Sequence, residues 1–430
     1  MPVSVKYFCS IDKTQSLSGQ NKILDSQPPH CYKYRKAFGE LIPDKHFPAP
    51  DDAGDVHCSF KALQSMNTST CTTQSDAEVK VSVVVPVYNS AAYLQRCLDS
   101  LSAQMKEGIE FVCVNDGSTD TSASILDTQA ARDPRFRIIH KENEGYGKAL
   151  NTAMKTARGV YIGIVEPDDW VEADMFSHLL GLAEKTGADI IKANYTIERK
   201  KISRPNEKFA NYEEGACLAP ANVPEYLSGA PSIWSAIYRR EWLDERQIVF
   251  TETPGASFQD LGFCIRTWLA AGKIAITHKA PYHYWEDNPI SSSRRMEDGA
   301  WAAYHELSML SKVYEGIPAD AKAIRSYLVR RIFATLRADY RHRIRETVKS
   351  FLLKYSNLLK KNFPLETLQQ DIFTKNEWYD LQLIYTTPLL FPRKSRTRAN
   401  LLQRVFSIRR EANSRILRIL GMSFILPRRK

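Results

Sequence analysis

Long hydrophobic runs are missing from this chain. No stretch of eighteen or more apolar residues occurs among its 430 residues. The opening Met1-Pro2-Val3-Ser4-Val5-Lys6-Tyr7-Phe8 has no charged segment leading into an apolar core. Both features disfavour a transmembrane anchor and a secretory leader, so the expected location is the cytoplasm. Of the eight cysteines, no two form a CxxC pair, and Cys97 and Cys113 fall on predicted buried faces, which argues against a disulfide framework or a zinc site. No internal repeat period is detectable. Acid is scarce only at the end: residues 393–430 carry twelve Lys/Arg against the single acid Glu411. The net charge of +10 therefore belongs to the tail, the rest of the chain is near neutral, and nucleic acid is not an expected partner.

What is present is apolar and ordered. Hydrophobic residues make up 43% and aromatics 10%, enough for a full core and more than one domain. Residues 1–79 read as an extension, with a Ser/Thr/Asn-rich linker at 66–75. From residue 81 apolar runs at 81–88, 109–115, 136–140 and 159–165 alternate with helical patterns at 90–101, around 125–126, and at 148–158, and a further helix and strand follow near 173–186 and 188–194. This rhythm implies right-handed crossovers and a parallel sheet covered on both faces. Residues 198–215 read as a surface loop, 233–239 as a strand, 257–271 as a helix, 273–277 and 281–285 as extended, and the remainder from about 298 as mostly helical.

Three apolar runs stop abruptly at acidic and turn-forming residues: Pro86-Val87-Tyr88-Asn89, Asn115-Asp116-Gly117-Ser118-Thr119-Asp120 and Glu166-Pro167-Asp168-Asp169-Trp170. Buried parallel strands release loops in this way at the edge where open α/β sheets bind ligands. Asp116 is placed either to accept hydrogen bonds from a base or ribose, or to turn the chain before a helix capped by Thr119 or Asp120. The acids at 166, 168 and 169 suit Mg²⁺ or Mn²⁺ bound jointly with substrate phosphates; an acidic helix N-terminus would look the same. Lys148, after Gly145-Tyr146-Gly147, either faces a pyrophosphate or is an exposed lysine. Asp260, in Gln259-Asp260-Leu261-Gly262, reads from the residues alone as an acid in the first turn of a helix.

Taken together, Val81-Ser82-Val83-Val84-Val85-Pro86-Val87-Tyr88-Asn89, the Asn115–Asp120 motif, Glu142-Asn143-Glu144-Gly145 with Asn151, Gly159-Val160-Tyr161-Ile162 and Glu166–Trp170 resemble glycosyltransferase family 2 in order and spacing. The resemblance implies a GT-A (Rossmann-like) α/β fold: a mostly parallel sheet flanked by helices, with a helical C-terminal region. It implies an inverting, metal-assisted transfer from a UDP-sugar to a hydroxyl of a cell-surface glycan or lipid-linked saccharide. On this reading Pro86, Tyr88, Asn89, Asp116, Gly117 and Ser118 border the nucleotide, with Lys148 at the diphosphate. Asp168 and Glu166 hold Mn²⁺ or Mg²⁺, and Asp260 is the base. Glu166 and Pro167 depart from the commoner Asp-Ser-Asp-Asp, Leu150 replaces a frequent arginine, and Gln259 replaces the acid before the base. The run Ser291-Ser292-Ser293-Arg294-Arg295 resembles a segment that closes over the pyrophosphate. No Gln-x-x-Arg-Trp box follows, which disfavours a processive synthase.

The expected domains are 1–79, a catalytic unit at 80–297, a helical region at 298–392 and a basic tail. In that tail Leu401, Val405, Ile408, Ala412, Ile416 and Ile419 recur at steps of three and four, predicting an amphipathic helix. Such a helix lies on an anionic membrane through residues 394–430, peripheral at the inner face, or packs on the catalytic unit. Rival readings are a sugar nucleotidyltransferase, for which Tyr88-Asn89-Ser90 is not the required glycine-rich loop, and a non-catalytic scaffold.

Overall fold

The first two apolar runs become strands with no exposed face. The computed structural model describes residues 78–391, apart from 201, 254, 257, 289–299 and 342–344, together with three strands within 406–427. The expected N-terminal extension and the 291–295 run thus lie outside the described residues. Strands β1 (Val81–Val87) and β2 (Ile109–Asp116) are buried along their whole length. They pair in parallel with each other, β2 with β3 (Phe136–Lys141), and β1 with β4 (Tyr161–Ile164). Helices α1 (Ala91–Ser102), α2 (Ser122–Arg132) and α3 (Tyr146–Thr156) supply the crossovers. In α1, Leu94, Cys97, Leu98 and Leu101 form the buried stripe, at the helical spacing the sequence shows.

Beyond β4 the sheet stops being purely parallel. Its order is β3-β2-β1-β4-β9-β6-β10-β5, where β5 is Trp170–Val171, β6 Ile190–Arg199, β9 Ala236–Arg239 and β10 Ile274–Trp285. Strand β9 runs antiparallel to both β4 and β6, whereas β6 and β10 are parallel. Helix α4 (Met175–Thr186) joins β5 to β6. The two extended segments expected at 273–285 are one strand, irregular between Thr277 and Tyr282. The expected surface loop at 198–215 contains the exposed strand β7 (Ile202–Asn206), paired with the end of β6, and Cys217–Leu218 (β8) pairs with β10. The strand expected at 233–239 begins as a 3-10 turn.

After β9 come the short helix α5 (Arg240–Glu245) and α6 (Gln259–Ala270). Four longer helices follow: α7 (Ala300–Gly316), α8 (Lys322–Arg341), α9 (Arg345–Asn362) and α10 (Lys375–Thr386). Their buried residues, among them Leu310, Leu328, Phe333 and Tyr355, join the core that fills the sheet unit. Helix α10 opens with a reciprocal capping box between Thr374 and Glu377. Among the described residues no helix is long and apolar enough to cross a membrane.

The tail corrects the sequence reading. Instead of one amphipathic helix, Phe406–Glu411 (β11), Ser414–Ile419 (β12) and Met422–Pro427 (β13) form an antiparallel three-stranded sheet. Glu411 pairs with Ser414 and Ile419 pairs with Met422. Isoleucine and phenylalanine at near-alternating positions favour strands, and steps of three and four among so few residues fitted a helix by coincidence. The described residues between 406 and 427 are therefore strands rather than the expected helix, and Leu401, Val405 and Ala412 of its apolar stripe lie outside the described residues.

Candidate functional site

Because β1, β2 and β4 are parallel neighbours, their C-terminal loops lie side by side. Pro86 is opposite Val114 and Val87 opposite Asn115, which brings Pro86, Tyr88, Asn89, Asp116, Gly117 and Ser118 to one edge. Tyr88 is half exposed there. Asn89 has φ +47°, and its Oδ1 accepts from Thr119 N at 2.8 Å while its N–H donates to Ser118 Oγ at 3.0 Å. Its side chain thus locks two loops together. Asp120 caps α1 from the neighbouring loop, accepting from Ala91 N at 3.0 Å. Gly117 has φ +69°, and a Cβ there would lie 2.6 Å from Asn143 N, so only glycine fits.

Asp116 is buried, and its carboxylate accepts from Glu144 N (3.0 Å), Gly145 N (2.8 Å) and Lys141 Nζ (2.7 Å). The carboxylate therefore both shapes the loop ahead of α3 and keeps acceptor capacity for one further donor. Lys148 does not join this group: its ammonium pairs with Glu144 on an exposed turn of α3, while Lys141 supplies the positive charge beside Asp116.

After β4 the three acids separate. Asp169 is 1% exposed; Tyr282 Oη donates to its Oδ2 at 2.7 Å and Trp285 N to its Oδ1 at 2.8 Å. It is thereby tied to β10 and turned away from the cleft. Asp168 stays partly exposed, accepts from Asn288 Nδ2 at 2.6 Å, and is pushed up in pKa by burial. Glu166 accepts from Tyr146 Oη at 2.5 Å; burial pushes its carboxyl to about 8, with Asp168 and Asp260 adding repulsion. Arg96 lies over the Trp170 ring at 3.8 Å and donates to the Asp168 carbonyl at 2.7 Å, which fixes the loop backbone. Tyr146, Tyr282, Asn288 and Arg96 were not picked out from the sequence, where nothing marks them.

Asp260 reaches the same cleft through α3. Asn151 donates to Phe250 O (2.9 Å) and Glu252 Oε1 (2.9 Å) and accepts from Phe250 N (2.8 Å). Tyr146 N donates to Gly255 O at 3.1 Å. A Cβ on Gly147 would collide with the Thr251 carbonyl. Gln259, buried where an acid was expected, donates to Thr253 Oγ1 at 2.8 Å and Gly255 O at 3.2 Å. Phe250, Thr251, Glu252 and Gly255 are thus held against α3 just before Asp260. Burial raises the Asp260 carboxyl to about 6, and Arg331 of α8 opposes that rise. Burial first, and then Glu166, Asp260 and Asp168, push the Tyr146 phenol well above its ordinary value, so each of the three carboxylates lies within electrostatic reach of it.

Among the described residues no three His, Cys, Asp or Glu side chains are grouped as a metal cage. Two partly exposed carboxylates, Glu166 and Asp168, with Asp169 withdrawn, offer oxygen ligands of the kind a hard divalent cation takes alongside phosphates and water. The residues fit Mg²⁺ or Mn²⁺ in that sense.

Residues 82–246 match the sequence pattern of the family described as glycosyl transferase family 2. The chain is 31% identical to glycosyltransferase GlyG of Streptococcus pneumoniae over 214 residues, covering 47% of this chain and 70% of that one. The chain belongs to glycosyl transferase family 2. Another relative, the uncharacterized glycosyltransferase EpsJ of Bacillus subtilis, is 33% identical over 217 residues, 49% of this chain and 62% of its own length. The chain thus spans about three fifths of the first curated family members it matches. In structure it is similar to S. aureus TarS 1-349 in complex with UDP-GlcNAc, with a TM-score of 0.63, 19% identity, and 81% and 99% of the two chains covered. That likeness establishes the GT-A glycosyltransferase fold.

Proposed function

We propose that the protein is a metal-assisted, inverting glycosyltransferase that moves a sugar from a UDP-sugar to a hydroxyl of a cell-surface glycan or lipid-linked saccharide. The observation that carries this reading is the convergence of Asp260 with Glu166 and Asp168 around Tyr146, at the edge where the Asp116 loop opens. The UDP-GlcNAc complex of TarS supports a UDP-sugar donor, and the chondroitin synthases among the relatives support a glycan acceptor.

Asp116 and the locked Asn89–Ser118 loop hold the uridine. Asp260 takes the proton from the acceptor hydroxyl, whose oxygen attacks the anomeric carbon opposite the phosphate. The bond from that carbon to the phosphate oxygen breaks, UDP departs, and configuration inverts. A divalent cation held by Asp168 and Glu166 would offset charge on the departing diphosphate. Tyr146 fixes the Glu166 carboxyl, and Asn288 that of Asp168.

Release of UDP from a panel of UDP-sugars tests the assignment. Asp260→Asn should lower turnover roughly 10²–10⁴-fold with UDP affinity retained, and Asp168→Ala should lower both. Turnover indifferent to both substitutions would refute the site, and no UDP release or binding from any donor would favour a non-catalytic scaffold.

A further inference from the structure

Three cations gather near Asp260. Lys192 of β6 is 2% exposed and donates to Ser232 O, Ser232 Oγ and Ser235 Oγ. Lys208, just after β7, places its ammonium 3.9 Å from the centre of the Tyr226 ring, and Lys192 lies 5.9 Å from the same centre. Tyr226 sits on the 3-10 turn Pro224–Ser228, against which α8 packs, and α8 carries Arg331. Cys264, one turn along α6 from Asp260, feels Lys192, Lys208, Arg331 and Asp260 alike.

Hydrogen-bonding partners are scarce around these charges. Among the described residues neither Lys208 nor Arg331 makes a hydrogen bond or ion pair, and Lys192 meets only neutral oxygens. Arg331 Nε is buried without a partner, as is Trp268 Nε1, whose ring stacks on Tyr226 at 3.7 Å. The acids that act on the cluster are Asp260, on Arg331, and Glu225, on Lys208. Burial, with mutual repulsion, holds Lys192 at about 7 and Lys208 at about 8. Lysine can escape an unpaired burial by losing its proton, but arginine cannot. An uncompensated buried guanidinium is costly unless an anion completes the site.

We propose that Lys208 and Arg331, with Lys192 behind them, form a subsite for a phosphate ester of the acceptor, next to the hydroxyl that Asp260 deprotonates. This rests on the glycosyltransferase reading above. The planar guanidinium supplies directional donors and Lys208 a movable point charge, a pair suited to a tetrahedral anion. Lys208, Arg331 and Asp260 each keep partial exposure to solvent.

The test is calorimetric titration of inorganic phosphate and of glycerol 1-phosphate into the full chain already saturated with UDP, so that donor phosphate contacts are filled. Both probes should bind the wild type. Lys208→Met and Arg331→Gln should each weaken binding at least tenfold, and Lys208→Arg should restore most of it. Unchanged UDP affinity reports that each variant is folded. No phosphate binding beside bound UDP in the wild type, equal binding in the variants, or acetate binding as tightly as phosphate would overturn the subsite. Binding of inorganic phosphate without the ester would overturn its assignment to the acceptor. Failure of the glycosyltransferase reading shows separately, as absent UDP binding or turnover.

Discussion

The two sides of the cleft treat their polar groups oppositely. On the donor side, residues 81–170, nearly every polar side chain is matched by another: Asn89 by Ser118 and Thr119, Asp116 by Lys141 and two backbone N–H groups, Asp169 by Tyr282 and Trp285. On the other side Lys208 and Arg331 have no hydrogen-bonding partner among the described residues, and Arg331 Nε is sealed from water. One side is a finished mould whose bonds set its shape. The other holds unspent charge, as a surface that completes itself on a ligand does. On the proposed reading, specificity for the acceptor lies where the side chains are unsatisfied.

The link between the sides is the place to break this comparison most strongly. Asn151→Leu removes three hydrogen bonds and strands the Phe250 N–H and C=O, which should cost about 2–4 kcal/mol of stability by denaturant unfolding. It should also lower turnover more than UDP affinity, since it frees the segment leading to Asp260; equal losses in both would show that α3 serves the donor alone. Within the donor side, Tyr282→Phe leaves buried Asp169 one partner short and should cost about 1–2 kcal/mol, with turnover falling as the Glu166 backbone bond is lost. An unaltered melting curve would contradict the pairing.

The smallest effect sharpens the acceptor side. Asp260 must be ionised to accept a proton, so kcat/KM should rise about tenfold per pH unit on the acid limb and level off above about 6. Arg331 favours the charged carboxylate and lowers that inflection, so Arg331→Gln should move the limb to higher pH. A limb that stays in place would mean that Arg331 does not act on the base.

Much of the donor side was legible because fully buried parallel strands read as unbroken apolar runs, and because the chain must turn sharply where each one ends. Val81–Val87 and Ile109–Asp116 needed no tertiary information. The antiparallel insertion of β9 was not legible, since a strand's direction leaves no mark on its composition. Nor was the tail, where apolar residues at steps of three and four suited a helix until cross-strand pairing decided otherwise. Tyr282 and Asn288 were invisible for a simpler reason: they meet Asp169 and Asp168 from 113 and 120 residues away. Asp260 was found through family resemblance, its own neighbourhood reading only as a helix start.

By itself the sequence determined the order of the first four strands, the acidic and turn-forming loops at their ends, and hence the kind of ligand edge the fold would build. Only the tertiary structure decided what each acid does. Asp168 and Asp169 are identical in chemistry and adjacent in the chain, yet β10 supplies Tyr282 and Trp285 to withdraw the second and leaves the first facing the cleft with Asn288. Local sequence fixes where a carboxylate appears; donors brought by distant strands fix whether it is structural or reactive, because burial is affordable only where such donors wait.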